Sequence, residues 1–334
     1  MAMPGKSRKR TILNGLAALS AVGLALSLGA VAEAAPSAKL TQFKIPTANS
    51  SPRDITQTVD GNLWFTQSFI NGQNTDPQSV ARITPEGDIT EFPVCSFCFP
   101  GEIVQGSDEI LYFTKNDAPL GRITTGGDVL PDIGSPFQFN GGSAAAHGDD
   151  IWVTDFNHNS LWRYDIPTEQ LTEFPADPGV TPFDVNIAPD GMVWFTDVAP
   201  EGRIGRLDPS TGTFTSIDVD GFPRQVNIAN DGAVWFTERF TPQAVGRIDP
   251  VTLAVSLFAV DGGPEDIAPG ANGTMWITRS TAGNIAQIDA SGVILTQSKT
   301  IKNSTPFGIT NTAGGDLWFT MLDANKIAAL NVTP

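Results

Sequence analysis

A short aromatic pattern recurs seven times along the chain: "LWFT" from Leu63, "LYFT" from Leu111, "IWVT" from Ile151, "VWFT" from Val193 and again from Val234, "MWIT" from Met275 and "LWFT" from Leu317. Its aromatics, Trp64, Tyr112, Trp152, Trp194, Trp235, Trp276 and Trp318, stand 48, 40, 42, 41, 41 and 42 residues apart. A unit of that length cannot bury its apolar face alone and must stack on its neighbours, which restricts the chain to a propeller or a solenoid. In the fourth copy "PFDVNIA" reads as a first strand, "PDG" as a turn, "MVWFTD" as a second strand, "GRIGRLD" as a third and "FTSIDV" as a fourth. Asp-Gly and Asn-Gly turns between alternating apolar runs are strong hairpin signals, and they occur at Asp60-Gly61, Asp190-Gly191, Asp231-Gly232 and Asn272-Gly273. With four strands per copy and no helical period, the expected fold is all-β: a seven-bladed β-propeller spanning residues 40–334.

A ring needs closure. The last copy ends after its third strand, "KIAALNV", whereas "KLTQFKIP" near the N-terminus resembles the fourth-strand pattern "DITEFPV" at Asp88–Val94. Residues 40–46 are therefore expected to form the outer strand of the seventh blade, paired with Lys326–Val332, so that no long unpaired edge remains.

Residues 1–34 stand apart from the repeats. Lys6, Arg8, Lys9 and Arg10 precede a run of about twenty apolar residues, and Ala32-Glu33-Ala34 offers a small-x-small cleavage site, the pattern of a secretory signal peptide. An uncleaved anchor is the alternative, given the length of the run. Residues 35–39 are a short lead. The expected product is secreted, extracellular or periplasmic, and monomeric, with no stable membrane insertion after cleavage. The whole chain carries a formal charge of −16, and cleavage would remove four of its 20 Lys and Arg but one of its 36 Asp and Glu. So acidic a protein is repelled by nucleic acid and by anionic membrane surfaces. The two cysteines, Cys95 and Cys98, have no second pair to complete a zinc site, so in an exported chain a local disulfide is expected, with free or reactive thiols as the alternative.

Several motifs, "DGNLWFTQ", "ARITPEGDITEFP", "DGMVWFTD", "DGAVWFTE" and "VGRIDP", resemble the repeats of the virginiamycin B lyases, also called streptogramin lyases, over essentially all of residues 40–334. That resemblance implies a seven-bladed propeller and, in active members, opening of ester-closed type B streptogramin rings by elimination, with a divalent metal such as magnesium, histidines and glutamates. It also implies a signature histidine at the start of a first strand, fourteen residues before the acid that follows "WFT". The residues at that distance are Arg53, Gly101, Gly141, Phe183, Arg224, Glu265 and Phe307, and none is histidine. A base suited to neutral pH is therefore missing where the resemblance calls for one. The chain has two histidines: His147 is expected in a solvated turn on the opposite face, and His158 in a loop at the mouth.

The residues that follow each copy, Gln67, Lys115, Asp155, Asp197, Glu238, Arg279 and Met321, should gather at one mouth of the channel. Asp155, Asp197 and Glu238 come from consecutive blades. Such carboxylates repel unless something positive joins them, so they either pair with arginines, Arg224 with Glu238 first among them, or hold a cation such as magnesium or calcium. Arg53, Lys115, Asp197, Arg224, Glu238 and Arg279 are candidate ligand-binding residues, and Glu238, His158 and Arg224 candidate catalytic ones. Two functions follow: a secreted propeller that binds a small-molecule or other extracellular ligand, or a cation, at its mouth without the histidine chemistry, or an active carbon–oxygen lyase or lactone-opening enzyme using a divalent metal.

Overall fold

The computed structural model describes residues 39–68, 78–134, 141–199, 202–240 and 242–331. They form seven four-stranded antiparallel sheets, and the one helical element among them is a 3-10 turn at Ala271–Gly273. The first blade runs Pro52–Gln57, Leu63–Gln67, Gln78–Ile83 and Ile89–Cys95 from the axis outward, and the next five repeat that order. The seventh has Pro306–Asn311, Leu317–Met321 and Lys326–Asn331, and its fourth strand is Lys39–Lys44. The segment expected to be a signal peptide lies outside the described residues, as does Val332.

Closure pairs the expected segments, with the strand at Lys39–Lys44 and not 40–46: Lys39 stands opposite Asn331 and Lys44 opposite Lys326. Phe43 of the closing strand stacks on Trp318 at 5.3 Å, the relation that Phe92 bears to Trp64 at 5.2 Å within the first blade. The N-terminal strand thus supplies the same cross-strand aromatic pair as an ordinary fourth strand.

Alternation along the second strand divides its side chains between two blade interfaces. Trp194 packs among Val226, Val234 and Phe236 of the next blade, whereas Phe195 packs among Ala145, Trp152 and Leu161 of the preceding one. Phe195 and Phe236 also lie flat over third-strand glycines, Gly205 and Gly246, where a Cβ would overlap the ring. The "VGRI" and "IGRL" motifs are the complement of "WFT".

The threonine of each copy has a separate task. It accepts the N–H of a residue in its own first strand, at 2.9–3.2 Å, from Asp54, Glu102, Ser143, Asp184, Gln225, Asp266 and Gly308. Its hydroxyl then donates to the carbonyl of the preceding residue in the next blade, at 2.7–3.4 Å, and Thr320 closes the circle by donating to Arg53. Seven hydroxyls link seven blades around the axis, each buried and each satisfied on both sides.

Candidate ligand site at the channel mouth

Six first strands share a local irregularity. Their pairing with the second strand breaks between Pro52 and Ile55, Gly141 and Ala144, Pro182 and Val185, Pro223 and Val226, Pro264 and Ile267, and Pro306 and Ile309. Bulges of this kind re-aim side chains, and proline, which has no N–H to give the ladder, is suited to begin them. The two residues inside each bulge point toward the axis. The outer one lines the mouth in five of the six: Arg53, Gly142, Phe183, Arg224 and Phe307, with Gly101 of the unbulged second blade, border a cavity of about 480 Å³, with Ser68, Asn116 and Phe156 at its rim.

The residues fourteen positions before the one that follows each copy are therefore mouth residues, apart from Glu265, which is not in the cavity wall, and with one correction. In the third blade the equivalent residue is Gly142, which receives the bond from Thr114, and not Gly141. The hairpin there is one residue shorter: four residues separate Ala146 from its partner Ile151, against five between Gln57 and Leu63.

The inner bulge residues include a set of carboxyl groups that the repeat alone did not single out. Asp54, Asp184 and Asp266 accept N–H groups of the next blade, from Ile103 at 2.8 Å, Val226 at 2.6 Å and Ile309 at 2.8 Å. They serve as staples between blades. Burial pushes all three up, Asp184 to about 7, and neighbouring carboxylates push Asp266 further. Glu102 is raised well above the usual glutamate value by burial and by Asp54, Asp184 and Asp266 around it, and it shares a hydrogen bond with Asp54. The shared hydrogen bond raises Glu102 and lowers Asp54, so of the two carboxyls Glu102 is the one that keeps a proton more readily. The signal for these residues was the recurrent Pro-x-acid-apolar pattern, as in "PRDI", "PGEI", "PFDV" and "PEDI".

Two guanidiniums stand over phenylalanine rings at the mouth. Arg224 lies 4.9 Å from the Phe183 centroid and donates to Glu265 at 2.6 Å, and Arg239 forms an ion pair with the other Glu265 oxygen at 2.8 Å without hydrogen-bond geometry. Arg53 lies 5.6 Å from the Phe307 centroid. Among the described residues it has no carboxylate within ion-pair distance, and its buried Nε has no hydrogen-bond partner.

The residues directly after the copies do not line this cavity. Alternation turns them away from the threonine ring and toward the outer strands of their own blade. Gln67 donates to Glu91 at 2.7 Å, Lys115 to Asp132 at 2.6 Å, and Arg279 to the Asp261 carbonyl at 2.7 Å and Gln297 at 2.9 Å. Asp155 is held to His158 at 2.7 Å, and Asp197 to Arg203 at 2.8 Å. Glu238 is fully buried with neither oxygen bonded. The expected arc of Asp155, Asp197 and Glu238 is thus three separate arrangements, and the expected pairing of Arg224 with Glu238 is replaced by Arg224 with Glu265. Among the described residues no group of three or more His, Cys, Asp or Glu side chains is placed to hold a metal ion. His147 is exposed at the end of its strand, in register with Asp150. Cys95 and Cys98 are joined as a disulfide beside the rim, next to the exposed Phe97.

The same frame recurs in solved structures. A streptogramin B lyase is 26% identical over 90% of this chain and 99% of its own, with a TM-score of 0.78. The virginiamycin B lyase of Staphylococcus aureus is 26% identical over 88% of this chain and 99% of its own, with a TM-score of 0.77. A catalytically inactive histidine-to-alanine variant of that enzyme with quinupristin matches at 25% identity over 88% of this chain and 99% of its own, with a TM-score of 0.77. No curated protein matches the chain. The family model for the virginiamycin B lyase family matches residues 27–210 and again 142–333, so the repeats, the ring and the closure have one origin: the chain belongs to the virginiamycin B lyase family.

Proposed function

We propose that this protein is an exported member of its family that binds a small, largely apolar ligand in the bowl at the channel mouth and does not perform histidine-dependent ring opening. The supporting observation is the composition of the mouth ring: Arg53, Gly101, Gly142, Phe183, Arg224 and Phe307, with Glu265 behind Arg224, offer aromatic faces and charge but no imidazole. Neither histidine compensates, since His147 is exposed away from the cavity and His158 is committed to Asp155. In the Staphylococcus enzyme, loss of one histidine accompanies loss of catalysis. The carboxylates at the strand ends are each engaged or enclosed singly, which does not fit a divalent metal there, so this reading routes no chemistry through one. The bowl's phenylalanines, with Phe156 itself 41% exposed, suit an apolar guest.

The second reading, elimination on a cyclic ester, draws on Glu102, raised by burial and hydrogen-bonded to Asp54, a pair able to give and take a proton at the cavity wall. Incubation with quinupristin, with and without magnesium, separates the two. Eliminative opening gives a linear isomer of unchanged mass, so chromatography and fragmentation are the readouts. The expected result is unchanged cyclic compound, and linearisation would overturn the proposal.

A further inference from the structure

Arg53 differs from its neighbours in the mouth. Arg224 and Arg239 share the two oxygens of Glu265, at 2.6 and 2.8 Å, so both are fixed and one of their two charges is offset. Arg53 sits on the Phe307 ring, its Nε buried and without a partner, at the wall of the same cavity. Glu102 and Glu265 attract Arg53 from beyond ion-pair distance; Glu102 is itself pushed up by burial and by the acids around it, and Glu265 is shared by Arg224 and Arg239, so neither is a dedicated partner for Arg53. A desolvated guanidinium with no directly paired counter-charge is costly, and an anion with matching fork geometry offsets that cost. Around it lie aromatic faces, Phe156, Phe183 and Phe307.

We propose that the bowl takes a monocarboxylate carrying an aromatic or otherwise apolar body, its carboxylate on the Arg53 guanidinium and its body against Phe183 and Phe307. This rests on the reading of the bowl as a binding site and adds the chemical class of the ligand. A cationic pocket in a protein of formal charge −16 also discriminates: the surface as a whole repels anions, and entry requires an apolar body able to enter the bowl as well as a charge. A free phosphate or a polyanion lacks that body.

The probes are 3-phenylpropionate, its neutral amide 3-phenylpropionamide, and phenethylamine, titrated calorimetrically against the full propeller. Charge-assisted bonds to a desolvated guanidinium exceed those to a neutral amide by about tenfold in affinity or more. The carboxylate is therefore expected to bind at least about tenfold more tightly than the amide, and the amine not to bind. Arg53→Met keeps the stem over Phe307 and leaves the backbone carbonyl that Thr320 bonds, so the ring stays closed. It is expected to bring the carboxylate down to the affinity of the amide while leaving the amide unchanged. If that variant does not fold, the comparison of carboxylate with amide on the native protein decides alone. Equal affinity for carboxylate and amide would overturn the carboxylate assignment and leave the apolar bowl standing. Absence of binding by either would overturn both. Linearisation of quinupristin would overturn the non-catalytic reading without touching the preference for a carboxylate.

Discussion

Blades four and five carry nearly the same second strand, "VWFTD" and "VWFTE", yet the final acid lives in two different environments. Asp197 accepts backbone N–H groups from Thr181 at 2.8 Å and Ala199 at 3.0 Å, and Arg203 reaches its other oxygen at 2.8 Å. Glu238 is just as buried, with both oxygens unbonded. The difference lies across the strand pair. Arg203 stands opposite Asp197 in the ladder, and Ala244 stands opposite Glu238. An acid at a given repeat position therefore has no fixed role; the residue that begins the third strand decides whether it is clasped or enclosed.

The largest effect tests what the two blades share. Trp194 and Trp235 are both buried at corresponding interfaces, so Trp194→Ala and Trp235→Ala should each cost about 3–5 kcal/mol in denaturant unfolding. Similar losses would confine the difference between the blades to the acid. Clearly unequal losses would show that their packing differs as well and would weaken the comparison.

Glu238 gives the next effect, and it depends on pH. Burial, and then Asp220 nearby, push its carboxyl up to about 7 from the 4.5 of an unperturbed glutamate. A carboxyl raised on folding favours the native state fully below the unfolded value, and that contribution is lost as pH rises through the folded value. Stability should therefore fall between about pH 4.5 and 7 by on the order of 3 kcal/mol, with no further loss from this group above that window. Glu238→Gln should remove most of this slope and so gain stability at pH 8 relative to the native protein, while changing little at pH 4. Thermal melts across that range check it, and an unchanged slope would show that Glu238 is not its source.

The frame was legible because it depends on pattern. Spacing of the aromatics gave the blade count, "KLTQFKIP" gave the closing strand, and both rest on alternation and pairing that repeat without regard to function. The site was less legible, because it hangs on departures from regularity. Six bulges, most of them begun by proline, turn two residues per blade toward the axis, and regular alternation places different ones there. Arg53 and Arg224 are legible as mouth residues by counting back from Gln67 and Glu238, the residues that follow their copies. Asp54, Glu102, Asp184 and Asp266 were missed because their meaning appears only against the backbone of the next blade, which no stretch of one blade's sequence records. The shift from Gly141 to Gly142 came from a single residue missing in a turn.

The smallest expected effect restores in blade five what blade four has. Ala244 is buried, but Arg203 in the same register shows the exit for a longer side chain: it passes Asp197 and donates to the Gly179 carbonyl at 2.8 Å. The position in blade five that matches Gly179 is Asp220, whose charge helps raise Glu238. Ala244→Arg should thus bring a guanidinium between two acids, lower the Glu238 carboxyl, and stabilise the protein at pH 8 by about 1 kcal/mol after the cost of desolvating the new charge. At pH 5 the sign reverses, because an arginine beside a neutral Glu238 is desolvated without a full partner. The gain at pH 8 should vanish when Glu238→Gln is added to Ala244→Arg, since the attraction requires the charge on Glu238. A variant that keeps the native pH slope would mean that enclosure by the blade, and not the missing cation, raises Glu238. In that case the third-strand residue would not be what separates the two blades.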